Sequence, residues 1–525
     1  MKNFARPPKV TVPRSQFDRS SPFKGTLDKA GFLYPVFLDE VYPGDTFKLK
    51  MYAVARLATP KFPFMDNVFL ESFWFFGPNR LLWQNWERFC GQQDNPGDSI
   101  DYLIPQIQAP AGGYAEGSLA DFFGIPTKVE GLSHSALPFR MYNRLWDEWF
   151  RDENLQNSLP RNQGDGPDLD TDYTLQKRGK RHDYFTSCLP TPQKGESVEL
   201  PLGQTAPVVS DGTNPLLSDT AGTFNTMHTN DGANIQRGGG AAWVTGSDLT
   251  FGNAGTDTTG LQADLSGATA ATIHQLRIAF QVQGMLERDM TAGTRYVETL
   301  QAHFGVTSPD FRLQRIEFLG SGSTHVNINP VAQTTQQFTN ESSPTTPQGN
   351  LAAFGVANVT GHGFTKSFVE HGYVMGLCMI RADLTYMQGL ARHWSRRTRY
   401  DHYYPALANL SEQAVLQKEI YATGDPLEDD LVFGYQERFA ELRYRPGQIV
   451  SRFRSNATQP LDAWHLAQNF ANAPTLSPEF IEEDPPIDRV IAVTDEPHFL
   501  FDAWFDLKCA RPLPTYAQPV TLARF

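Results

Sequence analysis

Residues 45–58 read DTFKLKMYAVARLA, and their side chains alternate in character along the whole stretch. An apolar set is interleaved with a mostly charged or polar set, namely Phe47, Leu49, Met51, Ala53, Ala55 and Leu57 against Lys48, Lys50, Tyr52, Val54 and Arg56. Successive side chains of a β-strand point to opposite faces, so this period predicts a strand. We expect one face of that strand to be buried and the other to meet solvent.

The same alternation returns in residues 498–509, HFLFDAWFDLKC. Residues 68–78, VFLESFWFFGP, are apolar on both faces, which predicts a strand that is solvated on neither. Strong strands near both ends of the chain, with irregular sequence between them, predict a sheet that pairs early strands with late ones, as in a jelly roll. The expected fold is mainly β: a β-sandwich with long inserted loops and a few short helices.

Helical periodicity is confined to a few stretches. Large apolar side chains recur at helical spacing in residues 79–91 and 138–153. Residues 272–290 and 294–305 predict two amphipathic helices that are hinged at Gly293. Helical signals are therefore fewer than strand signals.

Length and charge restrict the class of protein. At 525 residues the chain exceeds the usual size of one hydrophobic core, which predicts either two domains or one core with large insertions. Its net charge of -13 argues against a protein that coats nucleic acid over its whole surface, although it permits a basic patch on one face. No signal-peptide core and no apolar run of about 20 residues is visible, so we expect folding in a cytoplasm without membrane insertion.

Residues 1–30 are basic and contain several prolines, which predicts an extended N-terminal arm. Such an arm either lies on an anionic partner or forms a strap across a neighbouring subunit. Its candidate contact residues are Lys2, Arg6, Lys9 and Arg14.

Residues 203–271 are rich in Gly, Thr, Asn, Ala and Asp, a composition that cannot bury a core of its own. The composition suits an exposed insertion, and two interpretations stay open: a flexible loop or a recognition surface. For a recognition surface, the candidate residues are Phe224, Arg237 and Trp243.

Residues 392–404, RHWSRRTRYDHYY, concentrate arginines and aromatic rings in an acidic chain. Arginine pairs with phosphate and stacks on flat rings, but the same side chains suit a subunit interface or a packed loop. His393 and His402 have no cysteine nearby, so a metal site is a weak interpretation. The candidate DNA-facing or interface residues are Arg392, Trp394, Arg396, Arg397, Arg399 and Tyr400.

No catalytic signature is present, because the sequence lacks GxSxG, HExxH, a Walker loop and a GxGxxG that opens a helix. Four cysteines lie far apart in the chain, which argues against a zinc ribbon and against a disulfide scaffold. His362, His371 and Glu370 could share a metal if their loop folds back, but hydrogen-bonded strand histidines are the simpler interpretation. We expect no enzyme, no metal and no cofactor.

Several long blocks occur in order over nearly the whole chain, including RSQFDRS at 14–20, FMDNVFLESFWFFGPNRLLWQNWERFCG at 64–91, ARHWSRRTRYDHYYPALANLSEQAVLQKEIY at 391–421 and GYQERFAELRYRPGQIVSRFRS at 434–455. These blocks closely resemble the major capsid protein of the Microviridae, the small single-stranded DNA bacteriophages, in their gokushovirus branch. Residues 203–271 are the part that cannot be matched residue by residue.

The resemblance implies a viral jelly roll in which residues 31–525 form a single capsid domain. About sixty copies would build a small icosahedral, T=1-like shell around a circular single-stranded DNA genome. The resemblance also implies a small basic internal protein that helps to neutralise the DNA, a phage pilot protein, and a host cell-surface receptor that the insertion at 203–271 would contact. The protein would then be a virion component that is synthesised and assembled in the cytoplasm of a host bacterium.

The resemblance does not say which surface residues 392–404 occupy. Contact with DNA, a subunit interface and packing within a loop remain open, with the interface favoured narrowly, and the arm at 1–30 is an equal candidate for contact with DNA. Two other classes of protein fit parts of the sequence. A secreted-type carbohydrate-binding β-sandwich would need a signal peptide, and a cytoplasmic single-stranded DNA-binding protein would carry the opposite net charge.

Overall fold

The computed structural model describes residues 13–195, 208–210, 216–218, 224–226, 250–251, 261–263, 273–292, 302–303, 314–334, 337–340, 343–346, 351–408 and 410–516. Contacts divide the chain into two compact units, one made of the residues before 193 and after 305, the other of residues 193–305.

The strands, in chain order, are β1 (Ser15–Asp18), β2 (Ser21–Leu27), β3 (Tyr34–Val41), β4 (Thr46–Leu57), β5 (Val68–Pro78), β6 (Gln106–Gln108), β7 (Ser133–Ser135), β8 (Val208–Ser210), β9 (Leu216–Ser218), β10 (Phe224–Thr226), β11 (Thr250–Phe251), β12 (Leu261–Ala263), β13 (Glu317–His325), β14 (Asn327–Ala332), β15 (Gln337–Asn340), β16 (Ser343–Thr346), β17 (Leu351–Ser367), β18 (Gly372–Ala382), β19 (Glu412–Leu416), β20 (Val432–Glu437) and β21 (Phe499–Arg511). The α-helices are α1 (Asn79–Leu82), α2 (Trp86–Phe89), α3 (Leu119–Phe122), α4 (Leu137–Trp149), α5 (Ile273–Ala292), α6 (Gln417–Ile420), α7 (Pro426–Asp429), α8 (Pro478–Ile481) and α9 (Ile487–Val490). Short 3-10 turns span Asp170–Asp172, Arg392–Ser395, Arg399–Asp401, Pro405–Leu407, Ala440–Leu442, Ser451–Phe453 and Asp462–Trp464.

The first sheet runs in the order β1, β21, β4, β17, β14, and β2 also pairs with β21. Strand β21 lies antiparallel to β4, with Phe499 opposite Leu57 and Ala510 opposite Thr46. This register aligns the two alternating patterns, so the apolar sets of both strands fall on one face. The predicted pairing of an early strand with a late one is confirmed.

The second sheet runs in the order β13, β5, β18, β3. Residues 68–78 form β5 as predicted, and β5 lies in the interior of the sheet between β13 and β18. Strand β18 is buried along its whole length. A strand that is covered on both faces needs apolar side chains at every position, which explains why this part of the sequence does not alternate.

The two sheets enclose the main core. The ring of Trp74 on β5 lies 6.1 Å from that of Phe505 on β21 and 6.0 Å from that of Phe364 on β17, measured between centroids. Burying a large apolar side chain contributes about 1.5–3 kcal/mol, so the aromatic residues of these strands supply much of the driving force. The prediction of a mainly β sandwich of the viral jelly-roll type, with long loops and few helices, is confirmed.

Helix α4 covers the outer face of the second sheet, where its apolar residues join a second core. The Tyr142 hydroxyl donates to the Leu33 carbonyl at 2.9 Å, and Trp149 Nε1 donates to the Ile316 carbonyl at 2.9 Å. The helical signal at 138–153 is therefore confirmed. The signal at 79–91 corresponds to α1 and α2, which extended backbone at Trp83 separates.

A buried ion pair ties α4 to the loop that follows it. Arg140 donates from Nε and Nη2 to the two carboxylate oxygens of Asp168, at 2.8 and 2.7 Å. Asp168 also accepts from the Tyr173 hydroxyl at 2.5 Å. Because both charges are paired in bidentate geometry, the loop is held rigidly on the helix.

The described part of the predicted arm belongs to the first sheet. Ser15 of β1 lies opposite Arg511, and Ser21 and Leu27 of β2 lie opposite Phe505 and Phe499 of the same chain. Residues 1–12 lie outside the described residues. In the second unit α5 confirms the first of the two predicted helices, whereas the hinge at Gly293 lies outside the described residues.

Gly31 connects β2 to β3 at a point of close backbone approach. Its φ is +86°, and a Cβ atom on it would lie 1.9 Å from the Glu483 carbonyl oxygen. The Gly31 N–H donates to the Ile380 carbonyl at 2.8 Å, and its own carbonyl accepts from the Arg178 N–H at 2.9 Å. Glycine is therefore required by both conformation and space.

We expect Gly31→Ala to lower the free energy of unfolding by about 3 kcal/mol or more, because left-handed strain adds to a backbone clash. Gly91→Ala is the matched control, since Gly91 has a φ of +100° but nothing within 4 Å of the added carbon. It should cost only about 1–2 kcal/mol. Urea denaturation of the purified protein measures both, and equal losses would contradict the clash.

Candidate assembly and nucleic-acid surfaces

Residues 392–404 form two 3-10 turns on the surface of the first unit, beyond the end of β18. They lie on a third apolar cluster, which includes Tyr184, Phe185, Tyr386 and Phe433. The segment is therefore an ordered loop on a packed base.

Two of its arginines have partners within the chain. Arg392 Nη1 donates to Glu419 Oε1 at 2.7 Å and to the Ala414 carbonyl at 2.8 Å. Arg396 Nη2 donates to Glu441 Oε1 at 2.9 Å. Burial raises the pKa of Glu419, and the Arg392 guanidinium opposes that rise. These two arginines fix the loop, and their charges are already paired.

The second turn is held by its own cap. Asp401 accepts the N–H groups of Arg397 and Thr398 at 2.9 and 2.7 Å, and these bonds lower the pKa of its carboxyl to about 2. The Arg399 guanidinium lies 5.2 Å from the centroid of the Tyr404 ring. Both Arg397 and Arg399 are exposed, so their charges are accessible to a partner.

The aromatic rings of the segment are largely exposed: the exposed fraction is 72% for Trp394 and 68% for Tyr400. Tyr403 and Tyr404 are also exposed. Rings of this size on a free surface mark places where a partner binds, by burial at an interface or by stacking.

A groove of about 670 Å³ opens beside this loop. Residues 389–396 form one wall, residues 444–450 form another, and the rings of Tyr184, Phe185 and Tyr386 line it as well. Arg445 and Arg454 also border it. The groove combines aromatic rings with arginines and with the carboxylates of Glu419 and Glu441, which suits a protein segment or a stacked base equally well.

The other residues singled out in the sequence lie elsewhere or outside the described residues. Arg14 is exposed just before β1. Phe224 begins β10. The remaining candidates lie outside the described residues: Lys2, Arg6, Lys9, Arg237 and Trp243.

The side chains of His362 and His371 contact different residues. The His362 ring lies within hydrogen-bond distance of Ser72 Oγ, at 2.9 Å, and of Thr324 Oγ1, at 3.1 Å. The His371 ring packs against the rings of Tyr42 and Trp86. Among the described residues no cluster of three His, Cys, Asp or Glu side chains could hold a metal ion, and no described helix is long and apolar enough to cross a bilayer.

Sequence reasoning missed a cluster of charges around Glu71 on β5. The carboxylate accepts from Arg178 Nη1 at 2.6 Å, Arg181 Nη2 at 2.6 Å and Arg381 Nε at 2.7 Å. Burial alone would raise the pKa of Glu71, but the three guanidinium groups outweigh it and lower that pKa. Two sequence features could have indicated this cluster: the basic run KRGKRHD at 177–183, and Glu71 as the single acidic residue of an apolar strand.

Glu483 lies near this cluster and is buried, with its N–H donating to the Arg178 carbonyl at 2.8 Å. Its Oε1 has no hydrogen-bond partner among the described residues. Burial raises the pKa of Glu483 to about 7, although Lys180, Arg381 and Arg178 favour the charged form. The carboxyl is therefore largely protonated in the folded protein below neutral pH.

We expect Glu483 to make stability fall as pH rises. Between the ordinary value of 4.5 and about 7 the folded protein keeps a proton that the unfolded chain loses. The free energy of unfolding should therefore fall by on the order of 3 kcal/mol across that window. Glu483→Gln should remove this component, as measured by urea denaturation at several pH values. Glu479→Gln, at an exposed site, is the control, and an unchanged slope in Glu483→Gln would contradict the assignment.

The chain has close relatives among phage capsid proteins. A profile of the family described as capsid protein (F protein) matches residues 5–521. The chain is 48% identical to capsid protein VP1 of Bdellovibrio phage phiMH2K, over all of this chain and 98% of the relative. It is 42% identical to capsid protein VP1 of Chlamydia phage 1, over 99% of this chain and 98% of the relative.

Capsid protein VP1 of Spiroplasma virus 4 is 36% identical, over 93% of this chain and 92% of the relative. The similarity thus extends from the arm to the closing strand and is not restricted to the sheets. It confirms the resemblance to the gokushovirus branch of the Microviridae that the sequence blocks indicated. The chain belongs to the phage capsid protein (F protein) family, and it is a major capsid protein.

Proposed function

We propose that this capsid protein assembles into a small icosahedral, T=1-like shell of about sixty copies around a circular single-stranded DNA genome. The observation that carries the proposal is full-length similarity to three phage capsid proteins named VP1. The role is structural, and we infer that the chain catalyses no reaction. We further infer synthesis and assembly in the cytoplasm of a host bacterium.

We assign the surface of residues 392–404 to a contact between subunits. Arg392 and Arg396 already have carboxylate partners in their own chain, so they hold the loop in place. The exposed rings of Trp394 and Tyr400, with the exposed Arg397 and Arg399, are left for a neighbour. Aromatic and arginine side chains are enriched at protein interfaces, and preordering of the loop lowers the entropy cost of binding.

The remaining partners are proposed from charge, from composition and from the family resemblance. A chain of net charge -13 around an acidic genome requires added positive charge, which a small basic internal protein and the arm at 1–30 would supply. The insertion at 203–271 is the candidate surface for a host cell-surface receptor, on the basis of its composition. A pilot protein is a further expected partner of the particle.

We expect the chain, expressed with its native partners, to form closed shells roughly 25–30 nm across, as sized from sixty domain-sized units. Negative-stain electron microscopy measures the particle size. If the protein stays monomeric under every condition, partners included, the shell proposal is wrong.

Trp394→Ala combined with Tyr400→Ala should reduce the yield of such shells by about tenfold or more, because exposed rings at an interface core carry much of its binding energy. Tyr516→Ala is the control, since that ring is also exposed but lies outside the segment. Arg397→Gln with Arg399→Gln separates the two interpretations. Loss of shells supports the interface, whereas intact shells with less DNA would support contact with the genome.

Trimming residues 203–271, or exchanging them with those of a relative, should leave shell yield unchanged and alter adsorption to host cells. Adsorption is measured as the fraction of particles that pellet with cells. Unchanged adsorption would exclude this segment as the receptor surface.

A further inference from the structure

The two sheets of the sandwich differ in how their outer faces are covered. The second sheet lies between the main core and the core under α4. The first sheet buries one face in the main core, and its other face is exposed along β4, with Lys48, Lys50, Tyr52, Val54 and Arg56 all exposed. This second face, called here the open face, extends over the paired strands β2, β21, β4 and β17.

The open face places two large rings side by side. Tyr52 of β4 lies directly opposite Trp504 of β21 in the register. Their exposed fractions are 41% and 49%. Directly opposed side chains on neighbouring strands have Cβ atoms about 4.5–5.5 Å apart, so the two aromatic side chains start from adjacent positions in the middle of the sheet, called here the aromatic patch.

Positive charge lies on the β4 side of the patch, whereas Asp502 and Asp506 flank Trp504 on β21. Lys48, Lys50 and Arg56 are on β4, and none of the three forms an ion pair within the described part of the chain. Lys508 of β21 pairs with Asp18 and Asp506, and Asp502 of β21 is also exposed on this face. A locally basic surface on a chain of net charge -13 indicates an anionic partner.

The spacing along β4 suits a polyanion that runs along the strand. Lys48, Lys50 and Tyr52 are successive outward positions, about 6.8 Å apart in an antiparallel strand. Lys48 and Lys50 precede the Tyr52 ring along the strand, and Arg56 follows it. Proteins that bind single strands without sequence preference combine a basic track with rings on which bases stack.

We propose that the open face is a stacking platform for single-stranded nucleic acid, in which bases lie on Tyr52 and Trp504 and phosphates on Lys48, Lys50 and Arg56. The inference rests on the proposed function, because it identifies which surface of the capsid protein would contact the enclosed genome. A basic protein is disfavoured as the occupant by charge, and the repeat of cations along β4 beside two rings favours a single strand over a second copy of this chain, which the test below distinguishes.

The test measures binding of a fluorescent oligodeoxythymidylate of about 20 nucleotides to the purified, unassembled protein by anisotropy at several salt concentrations. Tyr52→Thr with Trp504→Thr should weaken binding about tenfold or more, because stacking is lost while β-propensity is kept. Tyr52→Phe with Trp504→Phe should restore most of the affinity. Lys48→Gln, Lys50→Gln and Arg56→Gln together should reduce the salt slope by about two, at about 0.7 per phosphate contact.

Trp394→Ala with Tyr400→Ala is the matched control, since it removes two exposed rings from the other candidate surface. It should leave oligonucleotide binding unchanged. Ultraviolet crosslinking followed by mass spectrometry should place the oligonucleotide on β4 and β21 peptides.

The inference would be overturned by no binding of the wild-type protein at low salt, by unchanged binding of the ring variants, or by crosslinks confined to other peptides. Open-face variants that bind normally but form no shells would also overturn it, because the face would then be a contact between copies. Shell formation by the wild-type chain is scored separately, so failure of the proposed function is distinguished from failure of this inference.

Discussion

The pairing of β21 with β4 is the contact on which the rest of the structure depends. It joins Leu57 to Phe499, which are 442 positions apart (499 minus 57). The entropy of closing a loop grows only with the logarithm of its length, so large inserted segments add little to the cost of this contact. A slip of β21 by one residue would expose Phe501 and Phe505 and bury Asp502 and Asp506, and the register is therefore strongly specified.

Helix α4 covers one side of the sandwich and leaves the other side exposed. This difference decides which surfaces are available to a partner. Helix α4 and the loop that Arg140 and Asp168 hold against it make the second sheet an interior element. The arginines of residues 392–404 are likewise held by Glu419 and Glu441, so the rings beside them stand on a fixed scaffold. In both arrangements the segment is already ordered before a partner binds, which lowers the entropy cost of binding.

The sheet was predictable from sequence because its signals are local. Alternation in β4 and β21 and uniform burial in β5 follow from side-chain geometry within each strand. The pairing of Arg392 with Glu419 was not predictable, since the partner lies 27 positions away and any of many carboxylates in an acidic chain could have served. The same holds for Glu71, whose three arginines come from two distant segments. The sequence therefore identified an unusual stretch of arginines but not the carboxylates with which those arginines pair.

The late position of β21 links folding to protein synthesis. Strand β4 leaves the ribosome early, but one of its hydrogen-bonding edges has no partner until residue 511 has been translated. An open strand edge is prone to pair with other chains, so the nascent protein passes through a long aggregation-sensitive interval. The late position of β21 also means that a chain that terminates before β21 cannot complete its first sheet. A prematurely terminated chain therefore retains the unpaired edge of β4 and cannot adopt the complete fold.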